Sequence, residues 1–131
     1  MPATEIVFYR EDDGSVPVMR WLKELRQRDV RAFAKCAIRI ERLAQQGHDL
    51  RRPESDYLRD GIHELRIRLG SVNYRILYFF HGGIASVLVH SLTKEDKVPE
   101  ADIERAVERK SRFERDPERH RHYEERPITD L

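Results

Sequence analysis

The sequence lacks the features that several classes of protein need. It has one cysteine in 131 residues, which cannot form an internal disulfide and argues against a disulfide-stabilised secreted scaffold. No hydrophobic run approaches the ~20 residues of a membrane-spanning helix. The N-terminus also lacks the basic start and apolar stretch of a signal peptide. We therefore expect a soluble, cytoplasmic protein with no membrane partner.

Neither sign of charge is in clear excess. The chain has 25 Lys and Arg against 24 Asp and Glu, for a formal net charge of +1. This excludes strong nonspecific binding to nucleic acid through bulk charge, but it leaves room for a local basic site. The sequence contains no glycine-rich phosphate loop, no HExxH motif and no nucleophile elbow. We predict neither a metal nor a cofactor.

The hydrophobic pattern predicts a small α+β domain over residues 1–115, in the order β-α-α-β-β-β-α. A helix hairpin packs on one face of an antiparallel sheet, and a C-terminal helix rests on the domain edge. Residues 48–61 are predicted to be a polar connector, and residues 116–131 a flexible charged tail. The predicted strands span 5–10, 62–69, 72–80 and 84–92, and the helices span 17–28, 29–47 and 98–113.

Two tight turns predict which side chains share a face of the sheet. Two-residue hairpins at 70–71 and 82–83 fix the register of the central strands. This register places Arg66 opposite Arg75, and Arg75 opposite His90, in one row across three strands. A three-residue loop at the second hairpin would instead take His90 out of line with Arg75.

The arginines of this row suggest an anion site. Like charges directly opposite on neighbouring strands destabilise a sheet by a few tenths to about 1 kcal/mol, so stability alone would not select this arrangement. A phosphate between the guanidinium groups removes the repulsion and suits their planar geometry. Arg68, opposite Asn73, lies beside the row, and Lys94 and Lys97 follow the last strand in a loop that can close over the same end.

Proton transfer at this site requires a group that titrates near neutral pH. His90 qualifies, since the unperturbed pKa of histidine is about 6.5. The competing interpretation is an ordinary solvated surface, in which Glu64 pairs with one of the arginines.

Three segments carry a family resemblance: LRDGIHELRIR at 58–68, YRILYF at 74–79 and VHSLTK at 89–94. Together, and in this order, they resemble the RelE/ParE superfamily of toxins from type II toxin–antitoxin systems. The phage-derived HigB-like branch is the most similar. The resemblance extends over about residues 4–115 and includes the order of the predicted elements.

The resemblance implies a metal-independent endoribonuclease that cleaves mRNA, usually in the ribosome, and so inhibits translation. It also implies a helix-turn-helix (HigA-like) antitoxin from an adjacent gene. In such enzymes the RNA 2′-hydroxyl attacks the adjacent phosphate and leaves a cyclic phosphate. The basic positions that match the family are Arg66, Arg68, Arg75 and Lys94. Arg75 would then bind the transition-state phosphate, and His90 or Lys94 would transfer the proton. The RNA backbone would be held by Arg66 and Arg68, with Asn73 and Lys97 beside them.

The sequence leaves two other functions open. One is poisoning of DNA gyrase, as in the ParE branch of the same superfamily. The other is a degenerate toxin-fold protein that binds or regulates without catalysis. Glu95 and Asp96 favour the degenerate protein, because they interrupt a segment that is lysine-rich in the related sequences.

Overall fold

The computed structural model describes residues 3–93 and 96–131 and confirms the α+β class. Its six-stranded sheet has the order β2-β3-β4-β5-β1-β6. β1 pairs in parallel with β5, and the other neighbouring strands are antiparallel. The strands are β1 (Glu5–Tyr9), β2 (Ser55–Arg59), β3 (Ile62–Leu69), β4 (Val72–His81), β5 (Ala85–Thr93) and β6 (Arg121–His122), and the helices are α1 (Pro17–Arg28), α2 (Val30–Gln46), α3 (Glu100–Arg115) and α4 (Pro117–His120).

The α1–α2 hairpin forms as its capping residues predict. The Asp29 side chain accepts the Ala32 N–H at 3.1 Å and caps α2. Gly47, with φ of 53°, ends α2 in the left-handed region that favours glycine. The apolar sides of both helices pack on one side of the sheet, which we call the hairpin face. Its core includes Leu22, Phe33, Ile40, Leu65, Ile76 and Tyr78.

The opposite side of the sheet, the α3 face, is covered over part of its width by α3. Phe113 is 2% exposed, and its ring lies edge-on to that of Phe79 at 5.5 Å between centroids. Leu77 and Leu92 belong to the same buried cluster. The prediction that this helix rests on the domain edge is therefore wrong. The thin apolar stripe of α3 is enough because it meets a mainly apolar part of the sheet, which includes Phe79, Val87 and Val89.

The β3–β4 register agrees with the sequence prediction. Arg66 pairs with Arg75, and Arg68 pairs with Asn73. The turn at 70–71 joins β3 to β4, with Gly70 at a positive φ of 62°. Because register fixes the face of each side chain, Arg66 and Arg75 both lie on the α3 face.

The β4–β5 register differs from the prediction. His81 pairs with Ala85, so three residues form the turn. A bulge then adds Val89 to β5, so that Arg75 pairs with Leu92 and His90 pairs with Leu77. Two one-residue shifts leave His90 on the same face as Arg75, but no longer opposite it.

Between the turn and the bulge, the single shift exchanges the faces of two β5 side chains. A two-residue turn at 82–83 would place Leu88 on the α3 face, but it belongs to the hairpin-face core. The same turn would place Val87 on the hairpin face, but it packs in the cluster below α3. Val89, the bulge residue, packs there as well.

The segment predicted to be a polar connector contains a strand. β2 pairs antiparallel with β3, and its register shifts between Tyr57 and Arg59. The sequence signal is weak because an edge strand needs few apolar residues. β2 nevertheless decides the shape of the site, because it places Asp56 beside Glu64.

Residues 116–131 pack against the domain, whereas the sequence predicts a flexible tail. β6 pairs with β1 through Phe8–His122 and Tyr9–Arg121. The last residue, Leu131, is 7% exposed and belongs to the hairpin-face core. Arg26 donates to its carbonyl at 2.5 Å. Within the described ranges, no helix is long and apolar enough to cross a bilayer.

Deleting residues 121–131 should reduce the free energy of unfolding by about 2 kcal/mol or more, because burying one leucine side chain contributes roughly that amount. The deletion also removes the β1–β6 pairing. Thermal unfolding followed by circular dichroism measures the effect. An unchanged midpoint would contradict the packing of this segment.

Candidate functional site

The predicted basic row forms a groove on the α3 face, beyond the part covered by α3. We call it the arginine groove. It encloses about 540 Å³. Its sides come from the edge strand β2, from β3 and β4, and from the segment that follows β5. The residues that line it include Asp56, Glu64, Arg66, Arg68, Asn73, Arg75, Asp96 and Lys97.

A buried carboxylate holds the opposed arginines together. Glu64 is 1% exposed; one of its oxygens accepts from Arg66 Nε, and the other from Arg75 Nη1 at 2.9 Å. Asp56 lies 3.2 Å from Arg66 Nη2. The repulsion expected between Arg66 and Arg75 is therefore offset inside the protein, and the guanidinium groups have fixed positions.

The cations of the groove differ in how firmly they are held. The Arg75 side chain is 11% exposed, and its Nη2 also donates to the Asp96 carbonyl. Arg68 is exposed, and its Nε donates to the Gly70 carbonyl at 3.0 Å. Among the described residues no carboxylate pairs with Arg68. Lys97 is exposed at the rim. The groove thus combines a fixed cation at its base with exposed cations above it.

The basic surface continues around the open edge of the sheet. A neighbouring cavity of about 410 Å³ shares Arg66, Arg68 and Arg75 with the arginine groove and adds Lys35 and Arg39 from α2. Lys35 Nζ donates to the Arg68 carbonyl at 2.7 Å, and Arg39 donates to the Arg66 carbonyl. α2 thereby satisfies the strand carbonyls that β2 does not reach.

His90 belongs to a different environment below α3. Its Nε2 lies 2.6 Å from an Asp102 carboxylate oxygen, and its Nδ1 lies 3.3 Å from Arg109 Nη1. The side chain is 17% exposed and does not line the arginine groove. Burial lowers the pKa of His90 below its ordinary value of 6.5, against the hydrogen bond to Asp102, which raises it.

The stability of the protein should therefore fall as the pH is lowered from 7 through the ordinary histidine pKa of about 6.5. The unfolded chain takes up protons at an ordinary histidine pKa, whereas folded His90 resists protonation, so acid favours unfolding. Burial lowers the pKa of His63 as well, with the same sign. Urea unfolding midpoints across this range should drop for the wild type and drop less for His90→Gln. If the urea midpoint falls equally with pH in both proteins, the pH dependence does not come from His90.

The structure gathers most of the residues predicted for the site. Arg66, Arg68, Asn73, Arg75 and Lys97 line one groove, whereas His90 lies apart from it. Lys94 lies outside the described residues. No group of three or more His, Cys, Asp or Glu suited to a metal ion occurs in the part of the chain that the structure describes.

Sequence reasoning missed Asp56, Lys35 and Arg39. Asp56 was missed because β2 was assigned to a connector. The two α2 residues had a usable signal, since a spacing of four residues places both on one side of a helix. The competing interpretation from the sequence, in which Glu64 pairs with one of the arginines, is present in the structure, where Glu64 pairs with both Arg66 and Arg75.

A model of the phage-derived Gp49-like protein family (DUF891) matches residues 20–111. The match covers more than half of the chain. The chain belongs to this family. The Gp49-like proteins are a RelE-like toxin family, which agrees with the fold and with the coarser part of the resemblance in the sequence. No curated protein matches the chain significantly.

The Gp49-like match contains the parts of the molecule that build the site. It extends from within α1 to within α3 and includes every residue that lines the arginine groove. Both partners of His90 on α3, Asp102 and Arg109, also lie inside it. Residues 112–131, which contain the packed C-terminal segment, lie outside the matched range.

Proposed function

We propose that this Gp49-like protein is the toxin of a type II toxin–antitoxin system and acts as an mRNA endoribonuclease, in the manner of the HigB-like branch. The observation that carries the proposal is the arginine groove. Arg75 and Arg66 are fixed at its base by Glu64, and Arg68 and Lys97 are exposed above them. Clustered guanidinium groups are the side chains best suited to bind phosphate in a bidentate way.

The groove supports a reaction at phosphorus in which the protein contributes positioning and charge. The RNA 2′-hydroxyl loses its proton and attacks the adjacent phosphorus. The bond to the 5′-oxygen breaks, and that oxygen takes up a proton. The products carry a 2′,3′-cyclic phosphate and a 5′-hydroxyl. Arg75 stabilises the charge that accumulates on the phosphate oxygens, and Arg66, Arg68 and Lys97 hold the RNA backbone.

The environment of His90 bears on the proton transfers. Both of its ring nitrogens face α3 side chains, and the residue does not line the groove. Of the two candidates from the sequence, we therefore assign proton transfer to Lys94, on sequence grounds. Lys94 follows Thr93, which pairs with Tyr74 beside Arg75.

One observation favours a second candidate function, a toxin-fold protein that binds without catalysis. The carboxylate of Glu64 already pairs with Arg66 and Arg75, so part of the positive charge of the groove is compensated internally. A protein of this kind would bind its antitoxin and leave RNA intact.

Controlled expression in a bacterial host distinguishes these possibilities. The endoribonuclease proposal expects growth arrest, with primer extension showing cleaved transcripts only while they are translated. Co-expression of a helix-turn-helix protein encoded beside the gene should restore growth. DNA breaks with intact transcripts would instead indicate a gyrase poison. Normal growth with folded, soluble protein and intact transcripts would support the non-catalytic alternative and contradict the proposal.

A further inference from the structure

A second cavity lies across strand β2 from the arginine groove. It encloses about 290 Å³, and we call it the aromatic pocket. Asp56 lines both cavities. Because side chains alternate along a strand, Asp56 and its neighbour Tyr57 point to opposite faces of the sheet. The two cavities are therefore separated by the width of one edge strand.

Tyr57 is an exposed aromatic ring in a fixed position. It is 55% exposed, yet two contacts hold it. The ring meets that of His63 edge-on, with centroids 5.1 Å apart. Its hydroxyl accepts the Gly61 N–H at 3.0 Å. A held ring that stays open to solvent can stack on another planar group at little cost in side-chain entropy.

Further rings extend the wall of the pocket behind Tyr57. His63 stacks on Tyr78 with 5.3 Å between centroids, and His48 stacks on Phe80 with 3.7 Å between centroids. Burial lowers the pKa of His63, and the nearby charge of His48 lowers it further. Burial therefore disfavours protonation of the His63 ring, which presents an aromatic surface beside Tyr57.

A chain of ion pairs connects the two cavities. In the arginine groove Glu64 bridges Arg75 and Arg66. Arg66 Nη2 then lies 3.2 Å from one oxygen of Asp56, and Arg52 Nε lies 3.0 Å from the other. Arg52 lines the aromatic pocket, and its side chain is 76% exposed. Positive groups thus lead from the groove over β2 to the rim of the pocket.

We infer that the aromatic pocket is a nucleobase subsite for single-stranded RNA whose phosphates lie in the arginine groove, with Tyr57 as the stacking surface and Arg52 as a backbone contact. The inference rests on the proposed function, because it takes RNA as the occupant of the groove. Aromatic rings beside a basic track are the usual means of binding unpaired bases.

Equilibrium binding of a short single-stranded RNA tests the subsite. The RNA carries 2′-O-methyl groups, which prevent attack by the 2′-hydroxyl, and a 2-aminopurine base, whose fluorescence falls on stacking. We expect Tyr57→Ala to weaken binding by about tenfold and to abolish the quenching. Tyr57→Phe keeps the ring and should retain both. No charge changes in either variant, so the salt dependence of binding should stay the same.

Three further variants separate stacking from misfolding and from charge. Tyr123 is 48% exposed and lies outside both cavities, so Tyr123→Ala should bind like the wild type. Tyr57→Leu keeps apolar volume without a ring; it should remain folded at the temperature of the binding assay and bind as weakly as Tyr57→Ala. Arg68→Gln should weaken binding and its salt dependence but keep the quenching at saturation.

The possible results distinguish the inference from the proposed function. If Tyr57→Ala and Tyr57→Leu bind like the wild type while Arg68→Gln binds weakly, the nucleobase subsite is wrong and RNA binding in the groove stands. If the wild type binds the RNA but quenching is the same in all variants, the subsite is also wrong. If the wild type binds no free RNA, the subsite is wrong, whereas the proposed function, in which cleavage requires translation, is then tested by the expression experiment alone.

Discussion

Replacing Arg75 by alanine should reduce RNA cleavage by at least about a hundredfold, since removing one fixed donor from a transition-state site has an effect of that size. Arg75 is the cation held most firmly in the groove, by Glu64 and by the Asp96 carbonyl. Its guanidinium therefore needs no rearrangement when charge develops on the phosphate. Transcript cleavage measured by primer extension, at equal amounts of folded protein, gives the ratio.

Two matched variants make this result specific. Arg75→Lys keeps the charge without the planar fork, so we expect partial activity. Arg115→Ala removes one exposed positive charge at the end of α3, away from the groove, and should cleave like the wild type. Equal cleavage by Arg75→Ala and the wild type would show that the arginine groove takes no part in the reaction.

Glu64→Gln should reduce stability and raise RNA affinity at the same time. Breaking a buried ion pair costs about 3–5 kcal/mol. The cost should be smaller here, because Arg66 is 40% exposed and the glutamine oxygen can still accept one hydrogen bond. We therefore expect the free energy of unfolding to fall by about 2–3 kcal/mol and the melting temperature to fall by roughly 8 °C. The groove meanwhile loses one negative charge, which should strengthen RNA binding and steepen its salt dependence.

Cleavage by Glu64→Gln should nevertheless fall, because Arg66 and Arg75 lose the carboxylate that fixes them. Glu108→Gln is the control of equal charge. Glu108 is 58% exposed and pairs with Arg112 on the same helix, so its replacement should change stability by less than about 0.5 kcal/mol. Weaker RNA binding by Glu64→Gln, measured by anisotropy, would contradict the assigned role of the carboxylate.

The sequence alone predicts the part of the site that depends on local signals. A two-residue turn fixes the β3–β4 register, and the Arg66–Arg75 pair follows from it. Asp29 and Gly47 likewise delimit α2 through capping geometry alone. These features follow from neighbouring residues, which is why they can be derived without tertiary information.

The position of His90 depends on a feature without a local signal. The bulge at Val89 compensates for the three-residue turn and returns the end of β5 to the α3 face. What stabilises that arrangement is the contact of His90 with Asp102 and Arg109, on a helix that begins after the strand has ended. The alternation of side chains along a strand carries no information about such a contact. The sequence therefore placed His90 opposite Arg75, whereas in the structure it pairs with Leu77.

The C-terminal segment shows the same limit. Its polar composition and two prolines are typical of a flexible tail, and its order comes from long-range contacts. Arg10 donates to the Arg119 carbonyl at 3.1 Å, and Leu131 is buried in the core of the hairpin face. A few apolar side chains at the right positions order a segment that composition alone assigns to solvent.

The chemical ends of the RNA fragments show whether the 2′-hydroxyl attacks the phosphate and whether the reaction depends on Arg75. RNA is isolated from cells that express the wild type and from cells that express Arg75→Ala, and the termini at each new cleavage site are identified by selective ligation. If Arg75 acts on the scissile phosphate, 2′,3′-cyclic phosphate and 5′-hydroxyl ends should occur with the wild type and be absent with Arg75→Ala. Fragments with 3′-hydroxyl and 5′-phosphate ends, or the same cyclic ends in both samples, would contradict this mechanism.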